Sequence, residues 1–67
     1  MGATYKMITL IGTSTSSYED AIQSAVTQAT TTVRNLAWFE VQEMRGRIQG
    51  ERVAEYQVKI QVGFRVE

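Results

Sequence analysis

The 67-residue chain contains neither cysteine nor histidine. Without cysteine it has no disulfides and no thiolate zinc sites, and without histidine it lacks the usual nucleophile–base pairs and imidazole metal ligands. No apolar run reaches the roughly 20 residues of a membrane-spanning helix, and the first residues carry no secretion signal. The sequence therefore predicts a soluble, cytoplasmic protein.

No excess of either charge is present, because seven basic side chains balance seven acidic ones. Such a chain lacks the overall positive field that attracts nucleic acids and anionic membranes. We therefore expect neither of them as a partner. The length predicts a single domain, 1–67, whose core supplies only about 3–5 kcal/mol without further help. Self-association is the remaining way to bury more surface.

Hydrophobic periodicity predicts the order strand, helix, strand, strand. A segment rich in β-formers, 3–11, precedes a polar break at 12–17. Apolar residues then recur at three- and four-residue steps, which predicts an amphipathic helix over about 17–35. The spacing of Ser16-Ser17-Tyr18-Glu19 is that of a capping box at its start.

Two strands follow the helix. The first covers 38–48, and a hairpin turn around Gly50 leads into the second. Alternation from Tyr56 onward puts apolar side chains on one face and polar ones on the other. The last strand, at about 15 residues, is far longer than the usual 5–6, so we expect its far end to pair or pack outside its own subunit.

Trp38, the only tryptophan, opens the first of these two strands on its polar side. Alternation places it with Glu40 and Gln42, whereas Phe39 and Val41 point the other way. A flat aromatic beside polar groups suits the stacking of a planar ligand. It equally suits an interface or core tryptophan with its N–H satisfied, so the local pattern leaves both interpretations open.

Three further side chains are candidates for ligand contacts. Gln57 faces the same polar side as Trp38, and its amide offers a donor and an acceptor together. Arg45 and Arg47 flank Gly46 on one side of their strand, and paired arginines suit bidentate phosphate contacts. Arginines near an exposed turn are also commonly solvated, which is the alternative interpretation.

Glu40 and Glu43 are the candidates for acid–base or metal chemistry. Their spacing predicts opposite faces of the strand, so they are not expected to converge within one subunit. Solvated or ion-pair roles are favoured, with Mg²⁺ or Ca²⁺ held between symmetry copies as the alternative.

Taken together, the sequence resembles the dodecin family of small flavin-binding proteins over its whole length. The matching stretches, in order, are Gly12-Thr13-Ser14, Trp38-Phe39-Glu40-Val41, Arg45-Gly46, Tyr56-Gln57-Val58 and Val62-Gly63-Phe64-Arg65. Two positions depart from the family pattern: Thr15, where many relatives carry proline or an acidic residue, and Arg47, where histidine, threonine or glutamate is common.

The resemblance implies an α+β fold, a β-α-β-β subunit whose three-stranded antiparallel sheet wraps on one amphipathic helix, assembled into a hollow homododecamer with cubic 23 symmetry. In the family, two flavins stack between symmetry-related tryptophans, which maps to Trp38. The glutamine at the Gln57 position bonds the pyrimidine edge of the flavin. Arg45, Arg47 and Arg65 would lie near phosphate groups of FMN or of a nucleotide.

The function implied is storage and protection of flavin by a protein that is not an enzyme, with FMN as the first ligand and riboflavin or lumichrome as others. Coenzyme A binding is left open. One alternative is a structural or interaction module without flavin, in which Trp38 is an interface anchor. Another is a single-stranded nucleic-acid platform, which would need a positive groove that the sequence does not offer.

Overall fold

The computed structural model describes residues 2–66 and contains one helix and three strands in these residues. The elements in chain order are β1 (Tyr5–Ser14), α1 (Tyr18–Ala29), β2 (Leu36–Gln49) and β3 (Arg52–Arg65). All pairing is antiparallel, and the strand order is β1-β3-β2. The predicted β-α-β-β order and antiparallel sheet are confirmed, and the long last strand lies at the centre of the sheet.

The start of α1 is fixed by side-chain capping. Ser17 is the N-cap, and its hydroxyl accepts a hydrogen bond from the Asp20 backbone N–H at 3.0 Å. The Asp20 carboxylate in turn accepts from the Ser14 hydroxyl at 2.7 Å. The cap therefore joins Ser17 to Asp20, one residue later than the predicted pair of Ser16 and Glu19.

The helix ends at Ala29, well before the predicted end at residue 35. The hydroxyls of Thr30 and Thr31 each donate to a backbone carbonyl three residues earlier, at 2.6 Å. Such local bonds compete with helical pairing, and β-branching adds to the effect. Asn35, at φ 64°, then turns the chain into β2.

Close packing of α1 on the sheet depends on small residues. Ala21, Ala25 and Ala29 form the buried line of the helix. Beneath them β1 continues through Gly12 to Ser14, past the end predicted at residue 11. A Cβ at Gly12 would overlap the Ala21 carbonyl oxygen, so this glycine allows the helix to approach the strand.

The core lies between α1 and the inner face of the sheet, the face toward the helix. Val58, Ile60 and Val62 of β3 are its buried residues on the sheet side. Because α1 packs mainly on β1 and β3, only Leu36 at the start of β2 packs against the core, and the rest of the inner face of β2 is left uncovered. Phe39, which alternation places on the core side, is 46% exposed. The pattern identified the correct face, but the helix does not reach this part of it.

The whole subunit measures 54 × 21 × 13 Å along its principal axes. The β2–β3 hairpin extends beyond the rest of it. The pairing of β1 ends at Ser14 opposite Tyr56, so the first part of β3 pairs with β2 alone. Ile48 and Val53 are cross-strand partners there, 73% and 56% exposed. With three neighbours on β2 they form an exposed apolar strip, whose members are Phe39, Val41, Met44, Ile48 and Val53.

Candidate functional site

An irregularity in β2 decides which side chains share a face. Val41 pairs with Ile60 and Glu43 pairs with Lys59, so Gln42 is an extra residue on β2. An extra residue in one strand of an antiparallel pair is a β-bulge. The alternation of faces along β2 therefore reverses at Gln42.

This reversal corrects the prediction for the two glutamates. Glu40 and Glu43 both lie on the outer face of the sheet, the face away from α1, because their partners on β3 are two residues apart. Trp38, Arg45 and Arg47 lie on the same face. The predicted opposite faces were wrong because a bulge is a property of strand pairing, and nothing in the local sequence signals it.

Trp38 lies flat on the sheet opposite Gly63. A Cβ at Gly63 would lie 2.5–2.6 Å from three atoms of the six-membered ring, Cζ2, Cε2 and Cη2. Near-equal distances to three ring atoms place the glycine under the ring face. Tyr5 contacts the indole edge-on, with centroids 5.1 Å apart at 65°. The indole N–H donates to Glu40 Oε2 at 3.2 Å.

We call this arrangement of Tyr5, Trp38, Glu40 and Gly63 the tryptophan platform. One face of the indole is covered by the Gly63 backbone, and Trp38 is still 40% exposed. The opposite face is therefore the one presented to solvent. A rigid aromatic surface presented in this way can stack a planar ring at little entropic cost.

A second group of polar side chains surrounds Gln57, and we call it the glutamine cluster. The Gln57 carbonyl accepts from Arg45 Nε at 3.0 Å, and its amide donates to Glu55 at 2.8 Å. Arg45 also pairs with Glu43 at 2.8 Å, and Arg47 Nε lies 3.9 Å from Glu55. The amide orientation of Gln57 is thus defined from both sides, and both arginines have a carboxylate neighbour.

The platform and the cluster occupy opposite ends of the outer face. Gln57 and Gly63 are six residues apart on a regularly paired strand, which corresponds to about 20 Å. Trp38 lies beside Gly63, so it is separated from Gln57 by a similar distance. The structure places Trp38 and Gln57 on one face, yet no single flavin ring system of one chain can contact both.

Arg65 lies at the platform end. It follows Gly63 by two residues on the same face, about 7 Å along the strand. It also lines an open cleft of about 400 Å³ together with Lys6 and Arg34. Lys6 pairs with Phe64 and therefore lies on the inner face of β1, opposite to the platform. Within residues 2–66, no acidic side chain forms an ion pair with any of these three cations. Lys6 and Arg34 were not predicted as site residues from the sequence, because only the fold brings these distant positions together.

No group of three or more acidic side chains within 2–66 is arranged to hold a metal ion. The single helix found in that range is also too short and too polar to cross a bilayer.

Comparison with known proteins identifies the family. The model of the Dodecin family matches residues 4–67. The chain is 52% identical over 67 residues to the dodecin of Thermus thermophilus, covering 100% of this chain and 97% of that one. The crystal structure of the tt0972 protein from Thermus thermophilus superimposes with a TM-score of 0.95 at 52% identity, covering 98% and 97% of the two chains.

A more distant relative has the same fold. Dodecin from Streptomyces davaonensis gives a TM-score of 0.96 at 37% identity, covering 100% of this chain and 98% of that one. Dodecins are small flavin-binding proteins that form oligomers. The chain belongs to the dodecin family.

Proposed function

We propose that this protein stores flavin by stacking it on the open face of Trp38 and that it quenches the fluorescence of the bound flavin. The observation that carries the proposal is the tryptophan platform, in which one indole face rests on Gly63 and the other is open. An isoalloxazine is flat and largely apolar, so it fits an exposed aromatic face. The residues present therefore suit this cofactor.

The proposed site is built from more than one copy of the chain. Because Trp38 and Gln57 lie about 20 Å apart in one chain, the Gln57 that bonds a flavin on Trp38 comes from another copy. A twofold axis through the site would also place two indoles face to face, with a pair of flavins between them. This is the arrangement that the family resemblance implies for a homododecamer.

The apolar strip supports assembly of the subunit. Its five side chains are each 44–73% exposed and lie along one face of β2 and the hairpin. A continuous apolar surface of this kind marks a protein–protein contact. The subunit also buries few large side chains, with Ile60 and Val58 the largest that are fully buried among the described residues. Burial of the strip between copies supplies apolar contacts that the subunit lacks.

Arg65 is the first candidate to bind the phosphate of FMN. It adjoins the platform on the outer face, and no acidic side chain of residues 2–66 forms an ion pair with it. Arg34 adds positive charge in the cleft that Arg65 also lines. Arg45 and Arg47 contribute less charge to a phosphate because Glu43 and Glu55 are their neighbours. In this proposal Arg45 mainly holds the Gln57 amide, through the 3.0 Å bond to its carbonyl. Coenzyme A also carries phosphates, so it is a competing ligand for the cleft.

The protective role follows from contact between indole and flavin. When bound, flavin supplies redox chemistry and absorbs visible light. Trp38 would hold the ring system in van der Waals contact and would serve as an electron donor to its excited state, so that the absorbed energy would be lost without emission. In the proposed site the indole would cover one face of the isoalloxazine and a second flavin would cover the other. No face of the ring system would then be open to a reacting substrate. In this proposal the flavin store serves the cytoplasm.

Fluorescence titration tests the proposal directly. Adding the protein to FMN, riboflavin or lumichrome should quench the emission of each, and FMN should bind most tightly because Arg65 contacts its phosphate. Trp38→Ala is the matched control and should abolish the quenching while leaving the assembly intact. Flavin emission that does not change on addition of the native assembly would contradict the proposal and favour an interaction module without flavin.

A further inference from the structure

We infer that Gly63 sets the spacing of the flavin site by fixing the height of the Trp38 indole above the sheet. This inference rests on the proposed function and adds to it a residue that determines how many flavins fit. Gly63 touches no ligand in this arrangement. It acts as a positioning residue, through the ring that lies on it.

The three atoms nearest to a Cβ at Gly63 all belong to the Trp38 ring, at 2.5, 2.6 and 2.6 Å. Carbon atoms in contact are normally about 3.5–4.0 Å apart. A methyl group at this position would therefore raise the ring by about 1 Å. Because the clash is with the ring face, the displacement is directed away from the sheet.

The indole, and not the backbone, is the part that would move. Gly63 lies on the central strand, paired with Met7 on one side and with Trp38 on the other, which fixes its backbone. The ring of Trp38 is 40% exposed, so space is available above it. Tyr5 at its edge and Glu40 at its N–H oppose a sideways slide of the ring.

Gly12 shows the contrasting case. A Cβ at Gly12 meets the Ala21 backbone first, so that glycine is required for helix packing and hence for the fold. A Cβ at Gly63 meets only the ring among its three nearest atoms. Gly12 is therefore required for packing of the core, whereas Gly63 determines the position of the Trp38 ring.

The consequence for the ligand comes from symmetry. Two facing indoles that each rise by about 1 Å narrow the gap between them by about 2 Å. A pair of flavins between two indoles requires three interplanar contacts of about 3.5 Å each. The gap is then too narrow by about 2 Å, which is more than half of one interplanar spacing. Gly63 thus selects for a stacked pair, and alanine would exclude it.

The test compares Gly63→Ala with the native protein and with Gly2→Ala, whose Cβ would meet nothing within 4 Å. FMN is titrated into each assembly after its mass has been verified. We expect Gly63→Ala to keep the native mass, to bind FMN about ten- to a hundred-fold more weakly and to bind fewer FMN molecules per chain. Gly2→Ala should match the native protein in all three measurements.

Intrinsic fluorescence supplies a readout that does not need flavin. Trp38 is the only tryptophan, so all indole emission comes from the platform. Without ligand, Gly63→Ala should change the accessibility of this emission to acrylamide, because the ring is lifted from the sheet and the gap in front of it narrows. Unchanged acrylamide quenching would overturn the inference whether or not flavin binds, and so would FMN binding of native affinity and stoichiometry. A Gly63→Ala chain that cannot assemble would also overturn it, because the glycine would then be required by the fold. Absence of flavin binding to the native protein would instead refute the proposed function.

Discussion

Replacement of Gln57 tests the division of the site between copies. In the structure its carbonyl accepts from Arg45 at 3.0 Å and its amide donates to Glu55 at 2.8 Å. Gln57→Leu removes both bonds, but Arg45 keeps Glu43 and Glu55 keeps Arg47 as neighbours. All four charges stay partly solvated and partnered, so we expect the assembly to survive.

Gln57→Leu should weaken flavin binding much more than it weakens the assembly. A flavin carbonyl that has left water and lost its donor is destabilised by about 1–3 kcal/mol. This corresponds to a loss of about five- to 150-fold in affinity for FMN. Gln57→Glu should be worse than Gln57→Leu, because its new carboxylate would face both the flavin carbonyl and Glu55, whose oxygen is 2.8 Å from the present amide nitrogen.

The assay is FMN titration by fluorescence quenching on assemblies of verified mass. Assemblies that contain both variants provide a second test. Trp38→Ala chains retain Gln57, and Gln57→Leu chains retain Trp38, so co-assembly places an intact indole beside an intact amide from another copy. Co-assembled chains should therefore bind more FMN than either variant alone. If both Gln57 variants bind FMN as tightly as the native protein, or if mixing restores nothing, the shared site is refuted.

Three further predictions concern assembly and ligand choice. Light scattering on a sizing column should give about twelve times the chain mass of 7.5 kDa, as the dodecamer of the family resemblance requires, and a stable monomer would contradict it. Ile48→Asp should dissociate the assembly, since it puts a charge into the apolar strip, whereas Gln49→Asp on the other face of β2 should leave the mass unchanged. Arg65→Ala should lower the affinity for FMN by about ten- to a hundred-fold through loss of a charged hydrogen bond. The affinity for riboflavin should not change, because riboflavin has no phosphate. Equal losses for both ligands would show that Arg65 acts on the fold or on stacking.

Local patterns in the sequence were sufficient for the elements and their order. Alternation along β3 identified Val58, Ile60 and Val62 as the inner face, and the helical spacing identified the packed side of α1. The helix end was misplaced because its threonines bond to their own backbone, which competes with a pattern of apolar residues that continues past them. The sequence also indicated that Trp38 is presented on a polar face, since that follows from alternation with its near neighbours.

Tertiary structure alone decided how these elements combine into a site. The bulge at Gln42 moves Glu43, Arg45 and Arg47 onto the face of Trp38, and it exists only in the pairing of β2 with β3. The same register places Gly63 under the indole and keeps Gln57 about 20 Å from it. Periodicity depends on the geometry of one segment, so a sequence displays it directly. Register depends on contacts between segments far apart in the chain, and those are fixed only when the chain folds.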